Sequence, residues 1–226
     1  PNGNLSEVMN SKLAQAHIAA ENRLTVSEVL ALCGTDRMAE SDPGPCFLGA
    51  DVGSLIHCVI GKRHPDKAGQ IIHVASFPDW NHLNDLMKRF NVSRAVIDAL
   101  PETRLSREFA REHKGKAYCC FYQDHQKGGY KWNEKELTVT ANRTESLDAS
   151  HNELSKGNIN LPQNSETIQE FARQCSNVAR VLETDSDTGS SRYVYLKTGP
   201  DHFRHSFSYQ CMASSFGGFF VGLDLS

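Results

Sequence analysis

Residues 46–63, CFLGADVGSLIHCVIGKR, decide the fold. Two apolar runs flank a turn that contains Gly53, so the stretch reads as two strands joined tightly. Asp51 lies at the end of the first run. Working outward, IIHVASF (71–77) is a third strand. DWNHLNDLMKRF (79–90) has apolar residues at 80, 83, 86, 87 and 90, a helical spacing with Asp79 near its start. RAVIDAL (94–100) is a short strand, ETRLSREFAREH (102–113) a helix, and KAYCCFY (116–122) the next strand. Three strands followed by helix, strand, helix, strand describe an α/β protein with a mixed sheet flanked by helices.

The middle is less regular. QDHQKGGYKWNEKE (123–136) reads as a loop or hairpin, ELTVTANR (136–143) as a strand, and RTESLDASHNELSKG (143–157) as a helix ending at Gly157. INLP (159–162) is extended, and SETIQEFARQCS (165–176) is a helix opening with Ser165 and Glu166. ARVLETDSDTGSSRYVYLKTG (179–199) reads as a hairpin about its polar centre. In DHFRHSFSYQCMASSF (201–216), Phe203, Phe207 and Cys211 step by fours, as on a helix. Ahead of all this, SEVMNSKLAQAHIAA (6–20) and LTVSEVLALCG (24–34) read as helices, the second ending at Gly34, and ESDPGP (40–45) breaks the helical pattern. Residues 1–43 are therefore expected to be a helical lead-in, and 44–226 the main domain. The start at Pro1 reads as a fragment. The polar opening PNGNLSEVMNSK lacks the apolar centre of a secretory leader.

The 226 residues are 39% hydrophobic and 23% charged, which suits a globular chain. No apolar run approaches the ~20 residues that span a bilayer. The net charge of −3 argues against a surface that attracts nucleic acid everywhere, but not against a local basic rim around an acidic site. The seven cysteines are odd in number and show no C-x-x-C spacing, so they read as reduced core thiols rather than a zinc site.

Three aspartates carry the chemistry. Asp51 and Asp98 end apolar strands, and Asp201 opens the last helix behind Gly199 and Pro200. An ionised carboxylate among apolar residues is costly unless it is paired or metal-bound. Adjacent strands and a nearby helix N-terminus can bring three such groups to one rim, a donor set for hard divalent cations. Two such ions ~3.5–4 Å apart can activate water and stabilise a leaving oxygen in phosphodiester cleavage, with no Ser or Cys nucleophile. Taken singly, Asp51 and Asp98 also fit strand-end turns, and Asp201 fits a helix N-cap.

LGADVGSLIHCVIGKR (48–63), RAVIDALPETRLSREFAREHKGKAYCCFY (94–122), LTVTANRTESLD (137–148) with GNINLP (157–162), and GPDHFRHSFSYQCMA (199–213) occur in this order. Together they resemble the nuclease domain of the large terminase subunit of tailed bacteriophages. The resemblance implies a ribonuclease-H-like fold. It implies Asp51, Asp98 and Asp201 as catalytic, metal-binding acids with magnesium or manganese, and double-stranded DNA as substrate. It further implies an ATPase domain joined through residues 1–43, with the portal and the small terminase subunit as partners in the host cytoplasm.

Two departures stand out. Many relatives carry a second Asp four residues after the third acid, where this chain has His205. No G-x-x-x-x-G-K-[ST] phosphate loop is present, so the chain alone is not expected to hydrolyse ATP. Arg104, Lys127, Lys131 and Arg143 are candidate DNA-backbone contacts, with Tyr130 and Trp132 interleaved among them. Ordinary solvated positions explain the four basic residues equally well. Of ten scattered histidines, His202 and His205 lie nearest a proposed metal acid and are accessory candidates. Two rival readings remain open: a ribonuclease-H-like resolvase or transposase, and a non-catalytic docking module of a packaging assembly.

Overall fold

The computed structural model describes residues 23–184 and 189–215. The expected 6–20 helix and the tip of the 179–199 hairpin lie outside these residues. The described residues open with a short helix α1 (Val26–Leu30), capped by Thr25 and Glu28 in a reciprocal capping box. This helix is shorter than expected over 24–34. Beyond Leu30 the chain turns out of helical geometry, and Cys33 forms a bridge to Leu161.

The three decisive strands form as read. They are β1 (Cys46–Val52), β2 (Ile56–His64) and β3 (Lys67–Phe77), an antiparallel meander in which β3 begins four residues before the apolar run. Next come α2 (Trp80–Arg89), β4 (Val92–Asp98), α3 (Thr103–Glu112) and β5 (Ala117–Tyr122). Asp79 caps α2 through the N–H groups of Asn81 and His82. The irregular middle yields a hairpin of β6 (Lys131–Asn133) and β7 (Thr138–Ala141). After it come α4 (Arg143–Ser155), β8 (Ile159–Asn160) and α5 (Glu166–Ser176). The hairpin β9 (Val178–Thr184) and β10 (Ser191–Lys197) and the last helix α6 (His202–Ser215) complete the described chain.

The main sheet runs β6-β7-β5-β4-β1-β2-β3-β8. The meander occupies one half, and β4 and β5 continue the other half parallel to β1. This order, with β1 central and helical crossovers, is the ribonuclease-H-like arrangement. Leu48, Ala50, Ala95, Ile97 and Cys119 face α2 and α3 and form one core with Leu83, Leu86 and Phe109. Residues of opposite strand parity face α6: Val96, Tyr118 and Cys120 pack with Tyr209 and Met212. On the same side, Val59 and Val74 pack with Phe171, Phe203 and Phe207. The adjacent Cys119 and Cys120 thus enter different cores, and all seven cysteines are free thiols. Among the described residues, no helix is long and apolar enough to cross a membrane.

Helix α6 lies directly on the central strand. A Cβ on Gly49 would meet Ser206 O at 2.0 Å and Gln210 N at 2.1 Å, so only glycine admits this approach. The seat is fixed by hydrogen bonds as well. Asp51 N–H donates to Ser206 Oγ at 3.2 Å, and the Ser206 hydroxyl reaches His57 O at 2.8 Å.

Candidate metal centre

Asp51 and Asp98 stand on neighbouring parallel strands. Ala50 pairs with Ile97, so the aspartates that follow are level at the strand ends. Both share the parity of Gly49 and Val96 and face α6. Asp201 immediately precedes α6, on the same side of the sheet. Its carbonyl accepts the His205 N–H, which opens the helix, but its carboxylate turns elsewhere. One oxygen meets Lys197 Nζ at 2.7 Å and the other His205 Nε2 at 3.3 Å.

The acids differ electrostatically. Asp98 is pushed up to about 6, first by burial and then by the charge of Asp51, against the N–H that Leu100 donates to it. Burial also works to raise Asp201, but hydrogen bonds from His205 and Lys197 outweigh it and hold this carboxyl well below the ordinary range. Asp51 is 8% exposed and Asp201 4%. Carboxylates so enclosed require positive charge beside them, and oxygen donors of this kind suit hard divalent cations.

Histidines surround Asp51. His57 is its direct cross-strand partner on β2. His202, the first residue of α6, places Nδ1 2.8 Å from Asp51 Oδ2 and stacks on His57 at 4.6 Å. The bond to Asp51 raises the pKa of His202, whereas burial and the neighbouring His202 lower that of His57. His205 is buried, with its ring beside the stacked pair of Tyr122 and Tyr209, and its Nε2 also lies 3.2 Å from Arg143 Nη2. A single ring nitrogen cannot donate to Asp201 and accept from Arg143 at once. The tautomer that serves Asp201 leaves Arg143 facing an N–H.

The remaining expected contacts are dispersed. Arg104 lies on α3, across the sheet from α6, and pairs with Glu108 at 2.7 Å on the exposed surface. Lys127 is an exposed loop residue, and Lys131 is exposed on β6, one of the two edge strands of the sheet. Of the four basic candidates, Arg143 at the start of α4 is the one whose side chain reaches His205. Sequence reasoning missed two neighbours of the acids, His57 and Lys197. The tight β1–β2 turn contained a signal for His57, because a hairpin register places it opposite Asp51.

No protein-family model matches the chain, and no curated protein sequence matches it either. Solved structures do. The large terminase nuclease from thermophilic phage G20c with bound magnesium aligns with a TM-score of 0.54 at 13% identity, over 88% of this chain and 99% of that one. The nuclease domain of the large terminase subunit of bacterial virus Sf6 aligns with a TM-score of 0.55 at 9% identity, over 84% and 98% of the two chains. A point variant of the Sf6 domain with manganese and beta-thujaplicinol aligns with a TM-score of 0.56 at 10% identity, over 84% and 98%. This chain therefore has the fold of the nuclease domains of phage large terminase subunits.

Proposed function

We propose that the chain is a divalent-metal-dependent endonuclease that cuts concatemeric double-stranded viral DNA during genome packaging. The observation that carries this reading is the level placement of Asp51 and Asp98 at adjacent strand ends beneath the start of α6, where Asp201 stands. The fold is shared with terminase nucleases, two of which were solved with magnesium or manganese. Asp51, Asp98 and Asp201 are assigned as the ligands of two magnesium or manganese ions. When bound, such ions supply the activation of water and the stabilisation of the leaving oxygen.

The protein's own groups hold and orient. Asp51, on the central strand, is placed to serve both sides of the centre. Lys197 and His205 keep Asp201 ionised, the form a cation requires. Arg143, poised against His205, offers its guanidinium to a phosphate of the substrate. Residues 1–43 are assigned as the connection from an ATPase domain. The portal and the small terminase subunit are assigned as partners of the whole subunit, acting in the host cytoplasm.

The test is cleavage of supercoiled plasmid by the purified chain with manganese or magnesium. Cutting is expected, with arrest by chelator and abolition in Asp51→Ala while circular dichroism stays native. Full activity of folded Asp51→Ala would remove the mechanism. A marked preference for four-way junctions or RNA–DNA hybrids over linear duplex would move the reading to a resolvase or ribonuclease.

A further inference from the structure

We propose that Asp51, His57 and His202 form a nitrogen-containing cation position on the β2 flank of Asp51, selective for manganese over magnesium. The nuclease reading supplies its setting, in that Asp51 is shared with the carboxylate centre. Strand β1 has β4 on one side and β2 on the other. Asp51 therefore has Asp98 on one flank and His57 on the other, and the two flanks carry different chemistry.

The placement is built in by register and helix seating. Asp51 and His57 are paired residues of an antiparallel ladder, so their side chains rise together from one face. His202 closes over them from α6, stacked on His57 with the rings 16° from parallel. One ring nitrogen from each histidine and one carboxylate oxygen lie within 4.8 Å of one another. Ligands ~2.1 Å from a common ion lie between roughly 3 Å and roughly 4.2 Å apart. The set spans up to 4.8 Å, so binding an ion requires a side chain to turn inward, and His202 is 40% exposed and hinges on its own helix start.

A second observation points to a ligand. His57 is only 8% exposed, and its buried Nδ1 has no well-formed hydrogen bond, the Leu55 backbone being a polar group close to the ring. Such a poorly partnered nitrogen is unfavourable and rare in a folded core, and a cation drawing on this ring gives the imidazole a role that packing alone does not. The donor types decide which cation. Magnesium takes oxygen ligands and dehydrates reluctantly, whereas imidazole favours manganese and the later first-row metals. The β4 flank, with Asp98, remains an oxygen site.

Pulsed electron paramagnetic resonance on manganese added to the full chain tests this directly, together with calorimetric titration of manganese and of magnesium. Nitrogen hyperfine coupling is expected in the wild type. His202→Ala and His57→Gln are each expected to diminish it, to weaken manganese binding by roughly tenfold or more, and to change magnesium binding much less. Absence of nitrogen coupling in the wild type, or absence of manganese binding, overturns the proposal. Unchanged coupling and affinity in the variants overturns it as well. If His57→Gln fails to fold, the half-exposed His202→Ala decides alone. Plasmid cleavage on the same samples separates the two readings. Nitrogen coupling without cleavage keeps this site and removes the nuclease. Cleavage without nitrogen coupling keeps the nuclease and removes this site.

Discussion

Arg143 and Arg104 have the same side chain but opposite surroundings. Arg143 meets His205 beside the acids, and Arg104 is satisfied by Glu108 on an exposed helix surface. Arg143→Ala should slow plasmid cleavage by about tenfold or more, roughly 1.4 kcal/mol of barrier per factor of ten. Arg104→Ala should leave cleavage unchanged. Equal effects in a paired rate measurement would remove Arg143 from the site. His73 makes a separate residue-scale point. Burial lowers its pKa below the ordinary 6.5, and its Nδ1 lies 2.9 Å from Ala39 O, a contact the neutral imidazole makes as donor. The folded state thus binds this proton less readily than the unfolded state. The resulting stability is present above pH ~6.5 and is lost as pH falls from there through the lower folded value. His73→Asn keeps a donor without the titration, so its stability should decline less than that of the wild type between neutral and mildly acid pH. Parallel decline in thermal melts would show that His73 does not contribute.

At the scale of elements, the seating of α6 on β1 places Asp201, His202 and His205 near the strand-end acids. Gly49 permits that seating, because backbone atoms of α6 occupy the space where a Cβ would project. Gly49→Ala must push the helix outward, at a cost of roughly 3 kcal/mol, the upper range for overpacking. Urea unfolding should show a clearly lower midpoint. Cleavage should fall even at temperatures where the variant remains folded. An unchanged midpoint would mean that the helix does not lie so close. Elements with a strong period or cap were readable in advance: α2 behind Asp79, α5 behind Ser165, and the β1–β2 pair about Gly53. The helix expected over 24–34 was shortened because Cys33 bridges Leu161, a tertiary competitor that propensity does not register.

For the whole molecule, the charge balance bears on how DNA is held. With 24 basic against 27 acidic residues, the chain has little excess positive charge for phosphate neutralisation. The isolated chain is expected to bind duplex DNA only in the non-specific range of ~10⁻⁴–10⁻⁶ M at physiological salt, and to release it as salt rises. Fluorescence anisotropy with a labelled duplex measures this. Nanomolar binding that persists in salt would contradict it.

The sequence by itself determined the alternation of strands and helices, because apolar spacing is a local property that each segment carries with it. It also placed Asp51 and Asp98 at strand ends and Asp201 at a helix start, since these addresses follow from the same local pattern. Only the tertiary structure decided that His57 stands across from Asp51, that Lys197 holds Asp201, and that Arg143 rather than Arg104 approaches His205. Those relations depend on strand register, on the closeness of a helix to a glycine, and on a hairpin's return path. Each joins residues far apart in the chain or on different elements, where no local periodicity links them.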